Sequence, residues 1–167
     1  MRLCQSFKDQ DYGKHVLLGY YHWQRIYKEG LELATELTSV PKYAADAWWK
    51  KAEMLQRTRR YDEAIAAYQQ CTNAPTNLYR IAECHAALGR LSAAVGQLQE
   101  IENFFKNYAS DACLKIAWLY RDAGKNKEFI AQLRSVLKKY PGSSHSSTAH
   151  QELESRGYKP GGGQDAE

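Results

Sequence analysis

The chain has 167 residues, enough for one domain of ordinary size or a short repeat array with a continuous core, and too few for a second large domain. Hydrophobic residues make up 44% and charged residues 25%, which excludes wholesale disorder and a low-complexity or collagen-like chain. The 23 Lys+Arg against 19 Asp+Glu leave a net charge of +4, and the basic residues are scattered as Lys50-Lys51, Arg59-Arg60 and Lys138-Lys139, a solvated surface rather than a nucleic-acid track.

The N-terminal stretch Met1 to Asp11 turns polar within a few residues and lacks the apolar run of a secretory signal. The expected location is the cytoplasm if the chain is complete, and the periplasm or cell envelope if a leader was removed. No segment approaches the roughly 20 apolar residues of a membrane span. From about residue 13 to about residue 156 apolar side chains recur at helical spacing, and no run alternates as a half-buried strand does, so an all-α protein is predicted. Pro41, Pro75 and Pro141 fall between amphipathic stretches, where a residue without an N–H ends helices without breaking them. Ser144 to Arg156, ending at Gly157, predicts a last amphipathic helix with a glycine C-cap. Pro160 and Gly161 to Gly163 have nothing to bury, so 159–167 is expected to be a flexible tail.

Internal repetition organises the middle of the chain. The stretch from Ala45 to Thr76 carries Trp48, Ala52, Leu55, Tyr61, Ala64, Ile65 and Tyr68. Thirty residues on, Leu78, Ala82, Gly89, Leu91, Ala94, Val95 and Leu98 take the corresponding places. A further 35 residues on stand Cys113, Ala117, Tyr120, Gly124, Phe129, Ile130, Leu133 and Pro141. A weaker copy precedes them by 34 residues, with Leu18, Tyr21, Tyr27, Gly30, Leu31, Ala34 and Leu37.

These residues resemble the tetratricopeptide repeat family, whose 34-residue helix-turn-helix unit has a small residue midway along each helix and often a proline at its end. The fold implied is a right-handed α-solenoid of helix-turn-helix repeats with a C-terminal capping helix. Its expected divisions are 1–44, N-terminal helices forming a degenerate repeat; 45–141, three repeats; 142–158, the capping helix; and 159–167, the tail. Two departures stand out: Arg59 occupies the place of the usual turn glycine, and Phe129 that of a small residue. The stretch from Lys138 to Ser144, with Ala149 and Leu153, is also similar to repeats of bacterial cell-envelope members of the family.

In this family the first helix of each repeat lines a concave groove. The resemblance assigns Trp49, Glu53, Gln56, Arg57, Tyr79, Glu83, Lys115, Trp118 and Arg121 to it, joined by His15, His22 and Trp23 if the weak first copy counts. It implies a non-catalytic scaffold or adaptor holding a protein or peptide partner. Trp49 and Trp118 admit a second reading, as packing between neighbouring helices. Two rival functions are a structural subunit using its convex or end surfaces, and a nucleic-acid-binding helical repeat; Glu53 and Glu83 in the groove argue against the latter. The paired lysine and asparagine of chaperone-binding members are absent.

No enzymatic site is expected. Cys84 and His85 are neighbours, but adjacent helical residues point about 100° apart. His15, His22, His85, His145 and His150 make no compact ligand set, and phosphate-loop, dinucleotide and nucleophile-elbow motifs are absent. Neither a cofactor, a metal nor a small-molecule substrate is expected. Cys4, Cys71, Cys84 and Cys113 form no C-x-x-C pair; the last three stand at apolar helical positions, which predicts buried, reduced thiols.

Overall fold

The structure, a computed structural model, describes residues 10–160. Cys4 and the tail after residue 160 lie outside them. Nine α-helices follow one another, and no strand occurs among the described residues. They are α1 (Gln10–Gln24), α2 (Tyr27–Leu37), α3 (Ala44–Arg57), α4 (Tyr61–Gln69), α5 (Thr76–Ala87), α6 (Leu91–Phe104), α7 (Ala109–Asp122), α8 (Asn126–Lys139) and α9 (Ser144–Ser155). A 3₁₀ turn, Lys106–Tyr108, leads into α7. The fold class is all-α, of the α-solenoid type.

Contacts divide the chain into two compact units, one through Leu88 and one from Gly89. In the first, each helix from α1 to α5 packs on the next, and α1 also reaches α3. In the second, α6 to α9 pack in sequence and α7 also reaches α9. Neighbour and next-but-one packing is how a stacked array buries helix faces that no single pair can cover.

The first unit holds two apolar clusters. Leu18, Ala34, Leu37, Tyr43, Ala47 and Met54 form one; Ala52, Leu55, Ala64, Ile65, Tyr68, Ile81 and Cys84 lie in the other. Asn77, 7% exposed, ties the start of α5 to the end of α4 by donating Nδ2 to the carbonyls of Tyr68 at 3.3 Å and Cys71 at 3.1 Å. The second unit has one cluster, including Cys113, Ala117, Phe129, Leu133, Ala149 and Leu153. Glu102 there binds Lys139 Nζ at 2.8 Å and accepts from the Tyr140 hydroxyl at 2.9 Å, joining α6 to the end of α8.

Short turns join the helices by a common device. Arg25, Arg59, Gly89 and Gly124 all have positive φ, between 61° and 71°, and stand 34, 30 and 35 residues apart. After α3, Arg59 N donates to Gln56 O at 3.0 Å and Arg60 N to Leu55 O at 2.9 Å; after α7, Gly124 and Lys125 repeat the pattern on Arg121 and Tyr120. This pair of hydrogen bonds, one from the left-handed residue and one from the residue after it, closes a helix C-terminus. Gly157 ends α9 in the same way, donating to Glu154 O while Tyr158 donates to Leu153 O, each at 2.9 Å. The helix opens on Ser143, whose hydroxyl accepts from Ser146 N.

Arg59 therefore makes the same turn as the glycines, at the strain a side chain brings to left-handed backbone. We expect Arg59→Gly to raise stability by up to about 1 kcal/mol, a gain of roughly 2 to 4 °C in melting temperature. A lowered melting temperature would show that the Arg59 side chain contributes more than its backbone strain costs.

Candidate functional site

The residues assigned to the groove fall in two groups, one in each unit. In the first unit, α3, the start of α4 and α5 place side chains around a depression of about 350 Å³ lined by Glu53, Gln56, Arg57, Tyr61, Arg80, Glu83 and Ala87. Spacings of three and four residues on α3 set Glu53, Gln56 and Arg57 on adjoining parts of one face. The same spacing on α5 does this for Arg80, Glu83 and Ala87.

Polar contacts cross this surface from helix to helix. His22 Nε2 of α1 lies 3.0 Å from Glu53 Oε2, at ion-pair distance but off the direction of a hydrogen bond. Gln56 Nε2 donates to Glu83 Oε2 at 3.2 Å, and Gln56 Oε1 accepts from the Tyr68 hydroxyl at 2.7 Å. Arg80 Nη1 donates to the same Glu83 oxygen at 3.0 Å. Burial first, and then the Glu53 charge, push the Tyr68 phenol up, which keeps it protonated as the donor that orients Gln56. Nearer the start of α1, His15 Nε2 lies 2.8 Å from Asp46 Oδ2 and stacks on Tyr43 at 4.6 Å between ring centroids. Burial would raise the Asp46 carboxyl, but Lys50 and His15 outweigh it and hold it below its ordinary value.

The two acids of the depression are thus already engaged, Glu53 by His22 and Glu83 by Gln56 and Arg80. Arg57 differs. It is exposed and has no ion-pair partner among the described residues.

Trp49 lies half-buried against the core cluster, its ring edge-on to Tyr68 at 5.3 Å. Tyr79, half-buried, stands one turn before Glu83 on α5. Trp23 is 76% exposed on α1. In the second unit α7 carries the other three. Trp118 packs half-buried on Phe129 at 5.8 Å, and the Arg121 guanidinium lies over its ring at 4.6 Å. Arg121 also binds the adjacent Asp122 at 2.9 Å, and Lys115 lies 3.9 Å from Asp111.

Sequence reasoning missed Arg80, Tyr61, Tyr68 and Ala87 as parts of this surface. Arg80 and Glu83, opposite charges three residues apart on a helix, were the available signal. Tyr68 carried none, since the apolar periodicity accounts for it as core. His145 Nδ1 bonds the Ser110 hydroxyl at 3.0 Å, and His150 lies 3.3 Å from Glu154. Cys84, next to His85, is fully buried, and burial pushes its thiol up to about 11, the reverse of what a nucleophilic thiolate needs. No described helix is long and apolar enough to cross a membrane.

Family models described as tetratricopeptide repeat match residues 45–77 and 111–143. Among curated protein sequences no match is found. Solved structures similar in fold include YrrB, a TPR protein with an unusual peptide-binding site, at 15% identity and a TM-score of 0.55; the match covers 86% of this chain and 78% of that one. Another is a kinesin-light-chain candidate from Podosopora anserina with nearly identical TPR-like repeats, at 15% identity and a TM-score of 0.57, with 90% of each chain covered. A single-substitution variant of that protein matches at 16% identity and a TM-score of 0.56, with 86% of each chain covered.

Proposed function

Because the chain belongs to the tetratricopeptide-repeat family, we propose that it is a non-catalytic adaptor whose first-helix surface binds a peptide segment of a partner protein. On this reading residues 45–141 hold three repeats, 1–44 a degenerate one and 142–158 a capping helix. The peptide lies across the depression lined by Glu53, Gln56, Arg57 and Glu83, with Tyr79 at its edge. Lys115, Trp118 and Arg121 form the corresponding first-helix surface of the second unit.

One observation carries the chemistry of the ligand. At this depression Gln56 and Arg80 occupy Glu83 and His22 stands against Glu53, whereas the exposed guanidinium of Arg57 has no ion pair among the described residues. A fork of N–H donors suits a carboxylate. The preferred ligand is therefore a peptide with an acidic side chain placed to meet Arg57, and Gln56, held by Tyr68 and Glu83, is oriented to meet peptide backbone.

A library of random peptides panned against the full chain tests this. Acidic sequences should be enriched, and Arg57→Glu should weaken the best of them about tenfold, roughly 1.4 kcal/mol, while leaving the melting temperature unchanged. Trp49→Ala should register mainly in stability, at roughly 2 kcal/mol for a half-buried indole. Equal enrichment of acidic sequences on the wild-type and Arg57→Glu surfaces would move the binding site away from this depression.

A further inference from the structure

Helix α1 turns Gly13 and Leu18 inward and ties itself to α3 through His15 with Asp46 and His22 with Glu53. Its opposite face carries Tyr12, Val16, Gly19, Tyr20 and Trp23, and the four large side chains are 45%, 53%, 52% and 76% exposed. No charged residue stands on that face: within α1, Asp11 and Lys14 point round the other side of the helix. An outward helix face is ordinarily its charged face. An exposed, charge-free stripe of three aromatics and a valine marks a surface made to be covered.

Two observations select what covers it. The first is spacing. Tyr12, Val16, Gly19 and Trp23 follow at four, three and four residues, the rhythm of a two-helix seam, and that rhythm reads the same in both directions. Two copies of α1 laid antiparallel about a two-fold axis between Leu17 and Leu18 put Val16 of each over Gly19 of the other, and Tyr12 against Trp23. Nothing lies within 4 Å of the point where a Cβ on Gly19 would stand. The unit itself therefore has no steric need for glycine here, although glycine weakens a helix interior; a notch that receives valine from a second copy supplies the need.

The second observation is area. At about 150 to 250 Å² per aromatic side chain, the exposed parts of the stripe amount to roughly 400 Å² per copy, about half of the ~800 Å² per partner of a stable interface. An interface of this size is that of a weak, reversible association.

We propose that the outward face of α1 is an isologous interface through which two copies of this chain associate, with their α1 helices antiparallel. The interface is independent of the peptide-binding depression, and the two fail separately.

Sedimentation equilibrium of the full chain from about 1 to about 100 μM tests it. The weight-average mass should rise from 19.1 kDa toward twice that value. Gly19→Glu replaces glycine with a better helix former in open space, so its melting temperature, read in dilute solution, should hold or rise while association weakens at least tenfold. Val16→Asp should also dissociate the pair. Arg57→Glu should leave association unchanged. A wild-type chain that stays monomeric throughout the range, or a dimer indifferent to Gly19→Glu and Val16→Asp, overturns the proposal; so does a monomer whose α1 face is protected by a different protein.

Discussion

Replacing Phe129 with alanine should destabilise the second unit by roughly 3 to 5 kcal/mol, the upper range for truncating a core aromatic. Phe129 is 1% exposed. It packs against Trp118 at 5.8 Å, lies 5.0 Å beneath the Arg156 guanidinium, and shares its cluster with Ala117, Leu133, Ala149 and Leu153. It comes five residues after the left-handed turn residue Gly124, as Gly30, Ala64 and Ala94 come five residues after Arg25, Arg59 and Gly89. At the first three places the residue is small. At the fourth, α9 brings only Ala149 and Leu153 to the shared cluster, and the ring fills volume that those side chains leave. Truncation opens a cavity bounded by three helices, which cannot collapse without moving α9. The converse change, Ala64→Phe, forces a ring into a closed contact and should cost about 1 to 3 kcal/mol. Urea unfolding of both variants measures this. A loss below about 1 kcal/mol for Phe129→Ala would mean that α9 can close over the gap.

That residue also marks how far the fold can be read from the sequence. The turn spacing of 34, 30 and 35 residues was present in the small residues, because close helix crossings and left-handed turns each admit few side chains. Arg59 hid one turn from a glycine search, since an arginine in left-handed backbone differs from a glycine only in strain. Phe129 hid one crossing because its volume is set by α9, a helix outside the repeat pattern. The candidate site was legible to the same degree. The family resemblance assigned Glu53, Gln56, Arg57 and Glu83 to first-helix faces, and all four stand around one depression. Which charges neutralise one another depends on rotamers and on a neighbouring helix, so the engagement of Glu83 by Arg80 and of Gln56 by Tyr68 needed coordinates. Depth was equally hidden: a helical period gives the direction in which Trp49 and Trp118 point, and half-burial against the core lies between the two readings it allows. The stripe on α1 was hidden for the same reason, because an outward apolar face has the same periodicity as an inward one.

Stability should fall steeply between about pH 8.5 and pH 10, and buried thiols are the cause. Cys71, Cys84 and Cys113 are free, 8%, 0% and 0% exposed, and burial pushes each thiol up to about 11. An unfolded thiol ionises near about 8.5. Between the two values the native state holds protons that the unfolded state has released, so stability is complete below the unfolded value and declines as pH rises toward the folded one. By about pH 10 the loss is about 1 to 2 kcal/mol for each thiol, and for the three together a large part of the roughly 5 to 15 kcal/mol typical of a folded domain. Tyr68 and Tyr140 are also pushed up, chiefly by burial, and act in the same direction at still higher pH. Lysine ammonium groups lose their proton and charge only around pH 10.4, so the window below about pH 10 separates thiols from ion pairs such as Lys139 with Glu102. Urea unfolding at intervals across this window should show a falling midpoint, and Cys84→Ala should shallow the fall by about one third. A midpoint that stays flat from about pH 8 to about pH 10 would mean that water reaches these thiols in the folded state, and the packing of α4, α5 and α7 around them would have to be looser than described.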